Sequence, residues 1–378
     1  MAQPPAAQTP IGQLLAARIR ECGPITFAEY MRECLYHSEH GYYNRAEPRR
    51  LGDYYTSADV HPIFGRLLAR QLAEMWAFLG RPEPFWAVEA GAGTGRLAGH
   101  ILDFAARAMP DFYAALRYIA AEQSAARRAA HAAALSAHLE AGRATSSADL
   151  PPEIAAGCIF SNEFLDAFPV HRVVGEPGKL SEVFVALNGQ GLCELLGPPS
   201  APSLDEYFLR QTVGLREGQQ AEAGLAACGW IREAGLRLAR GFVLTVDYGH
   251  EARELYDERH MRGTLLAYSR HRAGEDFFHA PGEQDLTAHV NFTALDLWGR
   301  SSGLVRLGLV PQGQFLLALG RENEFADLYE EGQSETERLR ARLLLKNLIY
   351  PEGMGEAFHV LIQSKGVEAP RLTGLQPL

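Results

Sequence analysis

Lysine is nearly missing from this chain: Lys179, Lys346 and Lys365 are the three among 36 basic residues. With so much alanine beside so much arginine, that bias reflects genome base composition rather than function. No run of basic residues occurs and the formal net charge is −10, which excludes the positive stripe that a nucleic-acid surface needs. The acidity mildly favours a cationic substrate. No apolar run approaches the ~18 residues of a membrane-crossing helix, so no membrane span is expected. Residues 1–10 lack the charged and apolar regions of a secretory signal and read as a short disordered tail on a cytoplasmic protein. Cys22, Cys34, Cys158, Cys193 and Cys228 are scattered without a Cys-x-x-Cys, which excludes a disulfide framework and a zinc ribbon. His-Glu-x-x-His, Gly-x-Ser-x-Gly and Gly-x-x-x-x-Gly-Lys-Ser/Thr are all missing, which leaves metalloprotease, hydrolase and P-loop readings without support. His271, His279, His289 and the run Cys34-x-x-His37-x-x-His40 match no zinc-site spacing, and no metal is expected.

What is present is an enzyme-like chain of 378 residues, 47% hydrophobic and 22% charged, long enough for one elaborated domain or two. Apolar spacing predicts a helix over 11–22 with Ile11, Leu14, Leu15 and Ile19 inward. Thr26-x-x-Glu29 is a capping box opening a second helix, and a third covers about 65–79. From Phe85 strands and helices alternate, the pattern of a parallel sheet. A strand leads to a helix at Thr94–Met109, then a strand at Leu116–Glu122 and an alanine-rich helix from the Ser124 cap to about Leu139. Further strands end near Asp149 and at Asn162. His171–Val174 and Val183–Leu187 read as paired antiparallel strands of an insertion followed by a loop. A helix at Ala223–Arg240 leads to the strand Gly241–Gly249, which carries Asp247 at its carboxyl end. Final strands are expected near Val305–Leu309 and Gln314–Leu319. The helix near Glu335–Ile349 is expected to turn Leu339, Leu343, Leu344 and Leu348 to one side.

The chemistry gathers at strand ends. In Glu89-x-Gly91-x-Gly93-x-Gly95 the glycines take positive φ and let a ligand approach the backbone. A dinucleotide turn reads Gly-x-Gly-x-x-Gly. This one closes a residue early behind an acid, the form that suits S-adenosylmethionine (SAM). Glu122 lies 33 residues after Glu89, one βαβ unit on, where an acid accepts hydrogen bonds from ribose hydroxyls; that role suits NAD as well. Asp149 is placed for the adenine amino group or for a plain loop cap. Past the fourth strand, Asn162-Glu163-Phe164-Leu165-Asp166 sets an amide and two carboxylates where a methyl acceptor would lie. A single helical turn would aim Glu163 and Asp166 the same way, and two carboxylates hold a guanidinium by paired hydrogen bonds.

Taken together, the motifs resemble the MidA-type SAM-dependent methyltransferases, bacterial relatives of the mitochondrial arginine methyltransferase of complex I assembly. The resemblance runs over nearly the whole chain. It rests on Pro24–Met31, Gly41-Tyr-Tyr43, Gly52-Asp-Tyr-Tyr-Thr-Ser57 with Phe64-Gly65, the glycine turn, Asn162–Val170, Asp247-Tyr-Gly249, Gly263-Thr-Leu265 with Tyr268 and His271, Gln284–Phe292 and Met354-Gly355. Ala58-Asp59, Leu266 and Asn291 depart from the pattern. The resemblance implies an α/β fold: a class I, Rossmann-like doubly wound sheet with an N-terminal helical segment and an inserted, partly antiparallel β subdomain. Its expected divisions are the tail 1–10, a helical segment with a cofactor-covering loop 11–84, the SAM-binding core 85–170, the insertion 171–222 and the remaining core 223–378.

The same resemblance implies SAM as cofactor, S-adenosylhomocysteine (SAH) as product, and cofactor contacts from Gly52, Asp53, Thr56, Glu89, Gly91, Gly93, Gly95, Glu122, Asp149 and Asn162. Gly52–Ser57 would close over the cofactor. Asn162, Glu163 and Asp166 would line the acceptor pocket with Asp285 and His289 nearby. In the mechanism expected here Glu163 and Asp166 localise the guanidinium charge and accept its proton, and His289 is the proton exit. The implied reaction is methylation of an arginine in a protein, with a respiratory complex I subunit as the implied partner, and a homodimer stays open. Methylation of a small molecule on oxygen or nitrogen, or SAM binding by an assembly factor without turnover, are the alternatives.

Overall fold

The computed structural model describes residues 9–44, 61–189, 191–269, 272–330 and 332–377. Gly52, Asp53, Thr56, the rest of the 52–57 loop and His271 lie outside the described residues, as does most of the N-terminal tail. Contacts divide the chain into two compact units, which it enters and leaves several times; one crossing falls between Phe164 and Leu165.

One unit holds the main sheet. Its strands are β1 (Phe85–Ala90), β2 (Leu116–Ala121), β3 (Ala144–Ser147), β4 (Gly157–Asn162), β5 (Gly241–His250), β6 (Val305–Pro311) and β7 (Phe358–Lys365). Their spatial order is 3-2-1-4-5-7-6. β1 to β5 are parallel, and β7 runs against both β5 and β6. Parallel strands are covered on both faces, so β1 and β5 are apolar almost throughout rather than alternating. Helices Ile63–Phe78 and Arg96–Ala108 supply Phe64, Leu67, Leu68, Leu97, Ile101 and Leu102 to the core they share with the sheet. The strand order reverses between β1 and β4, and ligands of such sheets lie beyond the carboxyl ends at that reversal.

Three local readings change. Gln314–Leu319 is not a strand: Gln312–Arg321 is a helix burying Phe315, Leu316 and Leu319. A short apolar run fits either period, and the last strand is instead β7, reversed. The alanine-rich segment starts at the Ser124 cap as expected but breaks into Ala125–Arg128, His131–Ala134 and Ser136–Glu140. Its inward anchors include polar groups, His131 lying 2.9 Å from Gly93 O and 2.8 Å from Ser146 Oγ. The helix Glu335–Ile349 forms, but it buries Ala341, Leu345 and Leu348 while Leu339 and Leu343 are exposed.

The other unit contains helices Pro10–Cys22 and Phe27–Tyr36, the second opened by the Thr26–Glu29 capping box. On the first, Ile11, Leu15 and Ile19 are buried, but Leu14 is half exposed. The inserted strands His171–Glu176 and Lys179–Asn188 pair antiparallel, Val173 facing Glu182. The stretch read as a loop adds the strand Gly191–Gly197 and the helix Ser203–Arg210. A small three-stranded sheet gathers Leu266–Ser269, Arg272–Gly274 and Asp285–Thr287.

Candidate active site

The turn after β1 is built by three glycines for different reasons. Gly91, Gly93 and Gly95 have φ of +70°, +55° and +83°, a region where other residues are strained. A Cβ on Gly91 would lie 2.4 Å from the Phe164 ring, and one on Gly95 would lie 3.1 Å from the His131 ring. A Cβ on Gly93 would meet nothing within 4 Å among the described residues. Packing therefore dictates the first and third glycines, while the second borders open space at the mouth of the sheet.

Glu122, at the end of β2, is oriented by backbone donors. The Gly93 amide donates to Oε2 at 2.9 Å and the Ser124 amide to Oε1 at 2.8 Å. A carboxylate has about four acceptor positions, so two remain for other donors. Glu89 is buried and accepts from Tyr118 OH at 2.5 Å. Burial pushes its carboxyl up to about 8; the Tyr118 hydrogen bond opposes this and the nearby Glu122 charge adds to it. A carboxyl whose folded value exceeds its unfolded 4.5 gives stability that is complete below that value and is lost as pH rises toward 8. Between those limits one bound proton corresponds to a slope of about 1.4 kcal/mol per pH unit. Urea unfolding of Glu89→Gln from pH 5 to 8 is expected to lose that part of the wild-type slope. Asp149 is exposed in the loop after β3, its amide 3.3 Å from Ser147 Oγ.

At the end of β4 the backbone turns sharply. Asn162 Nδ2 donates to Glu163 Oε1 at 3.1 Å, while Asn162 Oδ1 is buried with no hydrogen-bond partner among the described residues. Glu163 has φ +50°, uncommon for a residue with a side chain and a recurrent mark of functional turns. The helical turn expected over 163–166 does not form; Phe168 N donates to Leu165 O at 3.0 Å instead, which places Asp166 inside a tight turn.

Thus Glu89, Gly91, Gly93, Gly95, Glu122, Asn162 and Glu163 belong to the sheet unit, and Asp166 and His289 to the other. In that second unit Asp166 is buried, and its carbonyl accepts from Ala288 N at 3.0 Å. Tyr43 OH donates to Asp285 Oδ1 at 2.7 Å. Burial raises the Tyr43 hydroxyl well above its usual range, with Asp285, Tyr36 and Asp166 adding; burial, Asp166 and Asp285 raise Tyr268. Two tyrosines and two carboxylates therefore share one neighbourhood. His289 donates its amide to Thr264 Oγ1 at 3.1 Å. Burial, then His250 and His260, push its imidazole down to about 4. The ring centroids of His250 and His260 lie 5.4 and 6.5 Å from that of His289. Sequence reading missed His250 and His260; the available signal was their placement at the end of β5 and one loop later.

The residues present suit a nucleoside ligand such as SAM in their chemistry. Among the described residues, the open space over Gly93 admits a ligand against the backbone, the held Glu122 retains acceptor positions, and Asn162 Oδ1 is a buried acceptor lacking a donor.

Comparison with known proteins agrees. The sequence profile of a family described as S-adenosyl-L-methionine-dependent methyltransferases matches residues 67–310. The mitochondrial protein arginine methyltransferase NDUFAF7 homolog of Drosophila melanogaster is 27% identical, over 96% of this chain and 86% of its own. Homo sapiens NDUFAF7, of the same description, is 27% identical over 93% and 82%. A Burkholderia thailandensis crystal structure bound to S-adenosyl-homocysteine superposes with a TM-score of 0.86 and 30% identity, over 96% of this chain and 94% of that one. With its class I fold, this chain belongs to the MidA-type family of S-adenosyl-L-methionine-dependent methyltransferases.

Proposed function

We propose that the protein methylates an arginine side chain of a protein substrate, with a respiratory complex I subunit as the acceptor that the family suggests. The observation that carries the reading is the carboxylate of Glu163, set on a left-handed residue at the end of β4 and followed three residues later by buried Asp166. The relatives described as protein arginine methyltransferases support it.

When bound, SAM supplies an electrophilic methyl group on sulfur. Gly91, Gly93 and Gly95 would cradle its amino-acid portion, Glu122 would accept from the ribose hydroxyls and Asp149 would meet the adenine. Glu89 and Asn162 would line the same side, and Gly52, Asp53 and Thr56 would complete it. The substrate presents a different difficulty. A guanidinium has a pKa above ~12 and arrives with its charge spread over three nitrogens. Glu163 and Asp166, accepting from two of its N–H groups, would draw the charge to one side and leave the remaining nitrogen electron-rich for attack. The proton that this nitrogen loses as its bond to carbon forms passes to a carboxylate. His289, neutral at physiological pH and beside His250 and His260, is the proposed proton exit. In-line displacement needs mainly alignment and a dry site.

Tritiated-methyl labelling of a lysate from a strain lacking the gene tests the reading. Label recovered as methylarginine after protein hydrolysis is the expected result. Label confined to low-mass metabolites, or SAM binding with no transfer, overturns it. In thermal-shift measurements SAM and SAH should raise the melting temperature and NAD should not.

A further inference from the structure

The two amides that follow β4 are both tied to the end of β5. The parallel ladder between these strands runs from Gly157 beside Gly241 to Asn162 beside Val246. Glu163 continues it for one step, its N–H donating to Val246 O at 2.9 Å. There the chain turns out at φ +50°, and the next amide no longer meets a backbone carbonyl. The Phe164 N–H donates instead to Asp247 Oδ2 at 3.1 Å, while Asp247 Oδ1 accepts from Tyr248 N at 3.0 Å. Asp247 is fully buried. Its carboxylate thus stands where the ladder's next acceptor would be and captures an amide that has left the strand direction.

A side-chain-bearing residue in the left-handed region persists only where its surroundings over-determine it. Here the fixing bonds sit on either side of the Glu163 Cα, one to the β5 backbone and one to the Asp247 side chain. The same turn seats the Phe164 ring against Gly91, at the spot a Cβ would occupy. One carboxylate therefore governs both the aim of Glu163 and the ring that backs the cofactor turn.

We propose that Asp247 is a positioning residue for methyl transfer: its carboxylate clamps the Phe164 amide and so holds Glu163 in the left-handed conformation that directs its own carboxylate. The catalytic part of this statement rests on the role proposed for Glu163; the clamp itself does not. A carboxamide cannot replace the carboxylate, because it offers one acceptor oxygen to two backbone donors and turns an N–H₂ toward the other.

Native-state hydrogen exchange at the Phe164 amide reads the clamp directly. Asp247→Asn is expected to speed that exchange by about 100-fold, the mark of a lost buried hydrogen bond. Adding Glu163→Gly removes the strain at φ +50° but supplies no acceptor for the Phe164 amide, so protection should stay lost. Equal exchange in wild type and Asp247→Asn, or protection restored by the glycine, overturns the clamp. Glu163→Gly alone should raise the urea midpoint, a measurement that does not depend on Asp247→Asn folding; a lowered midpoint overturns the proposal that this turn is strained and held. For catalysis, the probe is tritium transfer from labelled SAM into lysate protein. Asp247→Asn should cut kcat by about tenfold or more in wild type and little further in Glu163→Gln; additive losses overturn the positioning role. If Glu163→Gln transfers at the wild-type rate, the role of Glu163 fails, whereas the exchange result still decides the clamp.

Discussion

Alanine at Gly93 is expected to weaken SAH binding by about 100-fold or more, close to 2.7 kcal/mol, while the protein remains folded. The reasoning separates two costs. At φ +55° a Cβ carries a conformational penalty of about 1–2 kcal/mol, which lowers the urea midpoint modestly. The Cβ itself meets no atom of the described residues within 4 Å, so none of them has to be displaced. It does occupy the space through which a ligand would approach the turn. Gly91→Ala is the control with the opposite pattern: its Cβ would lie 2.4 Å from the Phe164 ring at φ +70°, so strain and overpacking combine and stability falls first. Calorimetric titration with SAH beside urea unfolding checks both. Equal binding by wild type and Gly93→Ala would place the cofactor elsewhere.

The sheet and its glycine turn could be read before any coordinates because their signals are local. Phe85–Ala90, Leu116–Ala121 and Gly157–Asn162 are short apolar runs bounded by turn residues, and Gly91, Gly93 and Gly95 sit between strand and helix. Glu89 and Glu122 followed from their places at strand ends. What escaped depended on partners far along the chain. Gln314–Leu319 reads as a strand on composition, and its helical state is decided by the apolar face it buries, with β7 filling the sheet position instead. The left-handed turn at Glu163 escaped for a related reason. No local rule puts a glutamate at φ +50°; Val246 O and the Asp247 carboxylate, more than 80 residues later, impose it. Asp247 itself was visible as an acid at a strand end, but not its bond to the Phe164 amide. The histidine group is similar: Val290 pairs with Gly249 and Asn291 with His250, which carries His289 to His250 across 39 residues of sequence.

Removing both acceptor-side carboxylates should have the larger effect on rate. Glu163→Gln is expected to lower methyl transfer by about 10²-fold, and the double variant Glu163→Gln/Asp166→Asn by about 10³-fold or more, within the range of positioned acid–base groups. Amides keep the size of the side chains and some of their hydrogen bonds, so the comparison isolates charge. A guanidinium facing two neutral carboxamides keeps its positive charge delocalised, and its departing proton meets no anionic acceptor. The product of the single losses should exceed the double loss, because two groups holding one substrate act as a unit. SAH affinity should stay within about threefold of wild type, since the charge removed is assigned to the acceptor rather than to the cofactor. Raising pH should not rescue the double variant in the accessible range, because free arginine remains protonated below ~12. Single-turnover transfer of tritiated methyl, with SAH binding measured in parallel, distinguishes this from a general loss of structure. Full activity in the double variant would remove both carboxylates from the chemistry.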